Sequence, residues 1–493
     1  MKKIIELIKK HDNILVFILT MICISGYAFF AKLSIGDELW NFSFAYKYAN
    51  GYELYTDLNN ITTPLFLYIC RMIFYIFGDS YISFRIYNLI TFSTFFTVIY
   101  ILLKKIRISK INAFAYTLFF FIFSISIIPT GANYNVLACI FVIIGIILEL
   151  SKKNIRNYIF SGIILFAIFM SKQNIFVYYV LAMLIVSLLK YLLKRESTKE
   201  ISKRVLVNGV TLVILILGFV LCLWINNQLY DFISYCFLGI KEFGEKNATI
   251  MSNKPITYIA IGILSIIVSA ILLKTKGTNS KIKDVNLILL PYSATMLFGI
   301  IPIVNIYHTI IASYISIILL IYNLHNIIII FIKEKTFNKI AIIFSTIVIL
   351  YNLSMSIYWS VRYIPETKHD IRFYPYIGIV IERNLANKIN NICEYIKENE
   401  MNNIEVRIIS QEADLYMNIL KKNNKNTDLP FLGNLGKDGE EGLIKEVSNL
   451  KSGTKILISK ENVFWQESKR LREKIMNEYK RIGEVEDFYI YEK

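Results

Sequence analysis

Apolar runs of membrane-crossing length recur through the first 360 residues of the chain, separated by short polar and often basic segments. About 20 consecutive apolar residues suffice to cross the hydrocarbon core as a helix. Eleven such helices are predicted, at 14–33, 82–103, 111–129, 134–150, 157–171, 174–193, 205–227, 256–273, 285–303, 309–331 and 339–360; the fifth is short. The first follows MKKIIELIKK, a basic leader of the kind that opens a signal peptide. No A-x-A site follows and the run is long, so an uncleaved anchor is expected. After the last run the pattern changes. NLANKINNICEYIKEN has helical periodicity, IEVRIIS and KILIS read as strands, QESKRLREKIMNEYKRI as a helix and DFYIYE as a closing strand. The fold class expected is therefore an α-helical polytopic membrane protein of about 11 spans (1–361) with an α/β domain (362–493).

Composition agrees. Of 493 residues, 55% are hydrophobic and the mean hydropathy is +0.50, more apolar surface than a soluble fold can bury. The formal net charge of +17 raises nucleic acid as a partner until the charges are mapped. With the N-terminus inside, inner segments hold 24 Lys and Arg and the outer ones before the tail hold 8, alternating at each crossing. That is the positive-inside pattern. It accounts for much of the basic charge, excludes nucleic acid, and predicts a multi-pass protein of the cytoplasmic membrane with its C-terminal domain extracytoplasmic. Six scattered cysteines show neither CxxC nor zinc spacing. Heavy use of Ile, Lys and Asn suggests an AT-rich bacterial genome.

On this topology the long outer segments are 34–81, 228–255 and the tail, and the first opens on IGDELWNFSFAYKYANGYELYTD. Asp37 and Glu38 stand where the chain leaves the first span. Carboxylates at a membrane boundary cost little, whereas one at the bilayer centre costs roughly 3 kcal/mol, so solvation alone is one explanation. WNFSFAYKYANG then has helical spacing and is expected to lie in the interface, ending at Gly51. Tyr55, Asp57, Thr62, Thr63, Pro64, an amphipathic run LFLYICRMIFYIFG and Phe77-Gly78-Asp79-Ser80 lead to Arg85.

This order resembles the GT-C superfamily of membrane glycosyltransferases, in the branch of the protein O-mannosyltransferases and lipid A aminoarabinose transferases. The matching pieces are the basic N-terminus, Asp37-Glu38, the turn Gly51-Tyr52-Glu53-Leu54-Tyr55-Thr56-Asp57, Pro64, Phe77-Gly78-Asp79-Ser80 and Arg85. The resemblance implies an inverting transfer of a sugar from a polyprenyl-phosphate donor to an envelope glycan, lipid or protein outside the membrane. It makes Asp37 the general base on the acceptor hydroxyl. Glu38 would position the acceptor or tune Asp37. The leaving phosphate needs a cation or several donors. Many relatives have a Lys before the Pro-led helix where this chain has Thr62 and Thr63. Lys172 in MSKQNIF, the lone basic residue of a tight outer turn, is the alternative cation; a snorkelling turn lysine is the plain explanation.

Donor-binding candidates implied by the resemblance are Lys172, Tyr307, His308, Thr63, Arg85 and Asp57. Pro302, Tyr307 and His308 match a Pro-x-x-Asp-x-x-His step of some relatives, with Asn305 in place of the acid. A lone interfacial His is more often simply packed. Asn133 and Asn135 in GANYNV are read first as turn and capping residues. His11, His325 and His369 have no ligand spacing, so no metal site is predicted. No cofactor is expected; a divalent ion on Asp37 and other outer carboxylates is the alternative. Two other functions were weighed. A lipid-linked polysaccharide polymerase or ligase would want an Arg-rich central outer loop, and these loops are Arg-poor. A lipid-linked sugar transporter would show internal repeats and mid-span breaks; no repeat is seen and few prolines interrupt a span.

Overall fold

The structure is a computed structural model and describes residues 11–128, 131, 133–241, 256–301, 303–358, 360–361, 371–399, 404–423, 425, 434–461 and 467–493. Fourteen helices come first among these residues: α1 (Asp12–Phe30), α2 (Asp37–Ala49), α3 (Leu65–Phe77), α4 (Tyr81–Lys105), α5 (Lys110–Phe123), α6 (Tyr134–Glu149), α7 (Ile155–Ser171), α8 (Gln173–Leu192), α9 (Thr198–Ile225), α10 (Leu229–Ile233), α11 (Ile256–Lys274), α12 (Ser280–Met296), α13 (Ile306–Phe331) and α14 (Glu334–Tyr358). Each of the eleven apolar runs is a helix. Seven (α1, α4, α8, α9, α11, α13 and α14) are long and apolar enough to cross a membrane, among the described residues. The chain is a multi-pass membrane protein. The run expected at 111–129 stops at Phe123, where Ser124 closes the helix and a turn follows.

Short polar side chains start these helices by accepting a backbone N–H that has no intrahelical partner: Ser80, Ser109, Asn133, Asn154, Ser197, Asn279 and Asn305. In the bundle α1 lies on α4, α6 on α4 and α7, α9 on α7, α12 on α8 and α13, and α11 on α13. Buried amides and hydroxyls join neighbours where apolar contact alone does not choose a partner. Asn286 and Asn323 exchange amide hydrogen bonds of 2.9 Å, and Asn323 also donates to Ser269 at 2.9 Å. At the end of α6 farthest from Asn133, Arg204 bridges Glu149 (2.8 Å) and Glu196 (3.3 Å), and Lys190 also binds Glu149. That network pins α6, α8 and α9 together.

The C-terminal part runs α15 (Arg383–Glu398), β1 (Val406–Ile409), α16 (Ala413–Ile419), α17 (Gly439–Ser448), β2 (Lys455–Ser459), α18 (Lys469–Glu478), β3 (Lys480–Val485) and β4 (Phe488–Glu492). The sheet order is β1-β2-β4-β3, with β1 and β2 parallel and the other pairs antiparallel. The three expected strands are present. The helix expected through Ile482 stops at Glu478, and KRIGEV becomes an edge strand of a hairpin with β4. Its charged residues are good helix formers, but pairing with β4 decides the outcome, and Gly483 takes up a register shift.

Helix α2, expected to lie in the interface, has one face covered by protein. Phe42 is ringed by Tyr46, Phe74, Tyr81, Phe84 and Tyr376, the last from the C-terminal part. One apolar core joins α1–α4 to α15, α16 and β4. Helix α3 keeps the amphipathic character its sequence predicts: Phe66, Leu67, Cys70 and Phe74 are buried, while Met72, Tyr75, Ile76 and Phe77 are exposed. In the second long segment, 228–255, Leu229–Ile233 form α10 and Ser234–Leu238 one π-helical turn; residues 242–255 lie outside the described residues.

Candidate active site

Gly36 has φ +130°, a conformation that favours glycine, and it turns the chain from α1 so that Asp37 and Glu38 form the first turn of α2. The partial positive charge of a helix N-terminus favours carboxylates there. Consecutive residues on a helix point about 100° apart, so the two acids meet different surroundings.

Glu38 turns inward and is 1% exposed. Its carboxylate takes Arg85 of α4 in a two-pronged pair, Nε–Oε1 2.7 Å and Nη2–Oε2 3.1 Å. The same guanidinium donates to the carbonyls of Ala28, Ala31 and Lys32 at the end of α1, and lies over the Tyr81 ring at 5.2 Å. Burial pushes the Glu38 carboxyl up against the pull of Arg85. Arg85 itself stays charged, because arginine does not give up its proton in a protein. Arg85 is thus spent on Glu38 and on closing α1.

Asp37 is exposed, yet protein surrounds it closely enough that burial raises its pKa, with the Lys172 ammonium pulling it down. Its charge is also felt by Tyr134 and Tyr307. Lys172 breaks the helix between α7 and α8 with an extended backbone, φ −161°, ψ 122°. Burial lowers its pKa to about 8, while Cys139 and Asp37 act to raise it. Its ammonium donates to Asn135 Oδ1 and sits 5.3 Å from the centre of the Tyr134 ring. The amide nitrogen of Asn135 is buried and has no hydrogen-bond partner among the described residues. Tyr307 donates to Asn133 Oδ1 at 2.7 Å, and His308 shares a 2.9 Å hydrogen bond with Asn305. A Cβ on Gly131 would lie 3.1 Å from Asn88 and 3.5 Å from Glu38, so Gly131 rests directly on these two side chains.

The structure therefore gathers Asp37, Lys172, Tyr307 and His308 at one end of the bundle. Three other candidates are occupied elsewhere. Thr63 is fully buried and donates to Phe169 O at 2.7 Å. Asp57 accepts from Glu53 N at 2.8 Å and shapes its own turn. Arg85 serves the Glu38 pair. Pro302 and His369 lie outside the described residues. Sequence reasoning preferred a capping role for Asn133 and Asn135 over lining the sugar site; Asn133 does cap α6, and the two residues also tie α6 to Tyr307 and Lys172. The signal was GANYNV, whose two Asn residues are spaced to cap a helix and to face its neighbours at once. Among the described residues, no three His, Cys, Asp or Glu side chains gather as a metal site.

Residues 62–224 match the model of the dolichyl-phosphate-mannose-protein mannosyltransferase family. No curated protein matches the chain by sequence. Among solved structures, ArnT from Cupriavidus metallidurans, bound to undecaprenyl phosphate, superposes with a TM-score of 0.58 at 10% identity, covering 97% of both chains. The Archaeoglobus fulgidus oligosaccharyltransferase, in complex with Zn and sulfate, superposes at 0.52 and 10% identity, over 90% of this chain and 68% of that one. With its many apolar helices, a loop helix opening on an acidic pair and a small C-terminal sheet, the chain has the GT-C membrane fold.

Proposed function

We propose that the chain is a membrane glycosyltransferase that moves a sugar from a polyprenyl-phosphate donor to an envelope glycan, lipid or protein. The observation that carries this is an exposed carboxylate, Asp37, at a helix N-terminus in the field of a half-buried ammonium, Lys172. A base and a cation in one site are what displacement at an anomeric carbon needs. Asp37 takes the proton of the acceptor hydroxyl as its oxygen bonds to the anomeric carbon. The bond from that carbon to the phosphate oxygen breaks, and Lys172 receives the charge that develops there. Direct displacement inverts the anomeric configuration. No cofactor enters this scheme. The undecaprenyl phosphate bound by ArnT and the lipid-phosphate sugar named for the matching family support the donor class. The basic segments 104–110, 190–204 and 333–339 would face the cytoplasm, which puts the site and the C-terminal part outside it.

The test follows sugar lost from a panel of labelled polyprenyl-phosphate sugars, with envelope extract as acceptor, for the wild type and Asp37→Asn in nanodiscs. Turnover that collapses in the variant supports the proposal. Equal turnover removes Asp37 as base. Movement of intact lipid-linked sugar across vesicles, without transfer, replaces the proposal with a transporter.

Lys172 supplies a second check. An ammonium with a pKa of about 8 is charged below that pH and neutral above it. The affinity of this site for a phosphate is therefore expected to be highest well below pH 8 and to fall as pH rises through about 8. Lys172→Met is expected to remove that pH dependence and to raise the donor KM by about tenfold to a hundredfold, as loss of a charge-assisted hydrogen bond does. Titration with polyprenyl phosphate at pH 6.5 and 9 measures both.

A further inference from the structure

Helix α16 of the C-terminal part lies along α2, and their polar residues meet in matched steps. Lys47 Nζ lies 3.0 Å from Asp414 Oδ1, with both side chains 3% exposed. Ser43 donates to Asn418 Oδ1 at 3.1 Å, and Asn418 donates to Tyr376 Oη at 2.8 Å. Residues 43 and 47 are one turn apart on α2, as 414 and 418 are on α16, so one face of each helix is engaged at two points. Two points fix rotation about the helix axis as well as tilt.

The same segment continues along the loops around the site. Asn423 donates to Asp57 O at 2.7 Å, and Lys425 to the carbonyls of Tyr55 (2.9 Å) and Thr56 (2.6 Å). Lys437 reaches the second loop, donating from its backbone to Ser234 Oγ at 3.1 Å and from its ammonium to Tyr230 Oη at 2.6 Å. There the backbones pack so closely that a Cβ on Gly239 would lie 2.9 Å from Gly436. The two loops meet at the residue beside Lys172: Gln173 donates to Ile61 O at 3.1 Å and to Cys236 O at 3.3 Å. The C-terminal segment thus contacts the helix that carries Asp37 and both loops held by the Lys172 turn.

A buried ion pair is weak evidence for stability, because desolvation offsets much of its attraction; fixing a register is its better-attested role. We propose that Asp414 and Asn418 are positioning residues for Asp37, and that the C-terminal segment is a working part of the active centre. It holds the rotation and tilt of α2 and so the placement of Asp37 against Lys172. This rests on Asp37 acting as the base.

The test uses the full chain in nanodiscs, with Asp414→Asn, the milder Asn418→Ala, and the reversed pair Lys47→Asp with Asp414→Lys. Small misplacements of a reacting group cost up to about a hundredfold in rate. Asp414→Asn is expected to lower kcat by about that factor with donor KM changed less than threefold. Amide exchange should quicken in α2 and stay slow in α4 and α13. Asn418→Ala should show the same pattern more weakly, and the reversed pair should regain at least about tenfold of the lost kcat. Unchanged kcat and unchanged α2 exchange in Asp414→Asn would overturn the proposal. So would exchange that quickens equally in α2, α4 and α13, which marks general loosening. If the wild type transfers no sugar, the glycosyltransferase assignment fails, and α2 exchange alone decides whether the segment holds this helix.

Discussion

Asp37→Asn is expected to lower sugar transfer by about 10²–10⁴-fold, the usual contribution of general acid–base catalysis, while donor binding is not weakened. The asparagine keeps the size of the side chain and its place at the start of α2 but cannot accept the proton of the acceptor. Glu38 cannot substitute, although it is the next residue, because its carboxylate is bound to Arg85 within the protein. Asp37→Glu moves the carboxylate by about one methylene and should retain part of the activity. The measurement is single-turnover transfer from a labelled donor, with binding of polyprenyl phosphate followed in parallel. A loss of binding equal to the loss of rate would mean that Asp37 holds the donor instead.

Arg85→Met is expected to destabilise the folded protein by about 3–5 kcal/mol, since it leaves the Glu38 charge buried without its partner. Three carbonyls at the end of α1 lose their donor at the same time. The double variant Arg85→Met, Glu38→Met removes both charges and should recover much of the loss, because an apolar pair of similar volume has no charge to desolvate. Heat-inactivation half-lives of the purified protein in nanodiscs, compared across the wild type, the single and the double variants, decide it. Equal half-lives for the single variant and the wild type would show that the pair does not hold α1 to α4.

The helices of the bundle were legible because lipid demands long apolar runs, and those runs leave a trace in sequence that needs no knowledge of packing. The acidic pair was legible because two carboxylates at a span boundary are conspicuous. What separates Asp37 from Glu38 was not, since it depends on which side of α2 receives Arg85. Arg85 and Thr63 illustrate the limit. Their types suit a phosphate, but Arg85 is held by Glu38 and the Ala28 carbonyl, and Thr63 by Phe169 O. The covering of one face of α2 was hidden for a related reason: the residues that cover it, Tyr376, Asp414 and Asn418, come more than 300 positions later. Strand β3 was missed because a charged edge strand keeps the composition of a helix and is settled only by its hydrogen-bonded neighbour.

With Asp37 as the proposed base, its charge coupling to Lys172 would make it respond to donor binding. Burial raises the proton affinity of Asp37 and the ammonium draws it down. A phosphate seated beside Lys172 would cancel that pull and add negative potential of its own, so the carboxylate would become a stronger base once the donor arrives. By reciprocity, a protonated Asp37 would bind the phosphate more tightly than an ionised one. The acid limb of kcat should then lie at higher pH than that of kcat/KM, because the first reports the loaded enzyme and the second the free one. An acceptor entering ahead of the donor would meet a blunted base, which gives the two substrates an order without any moving gate.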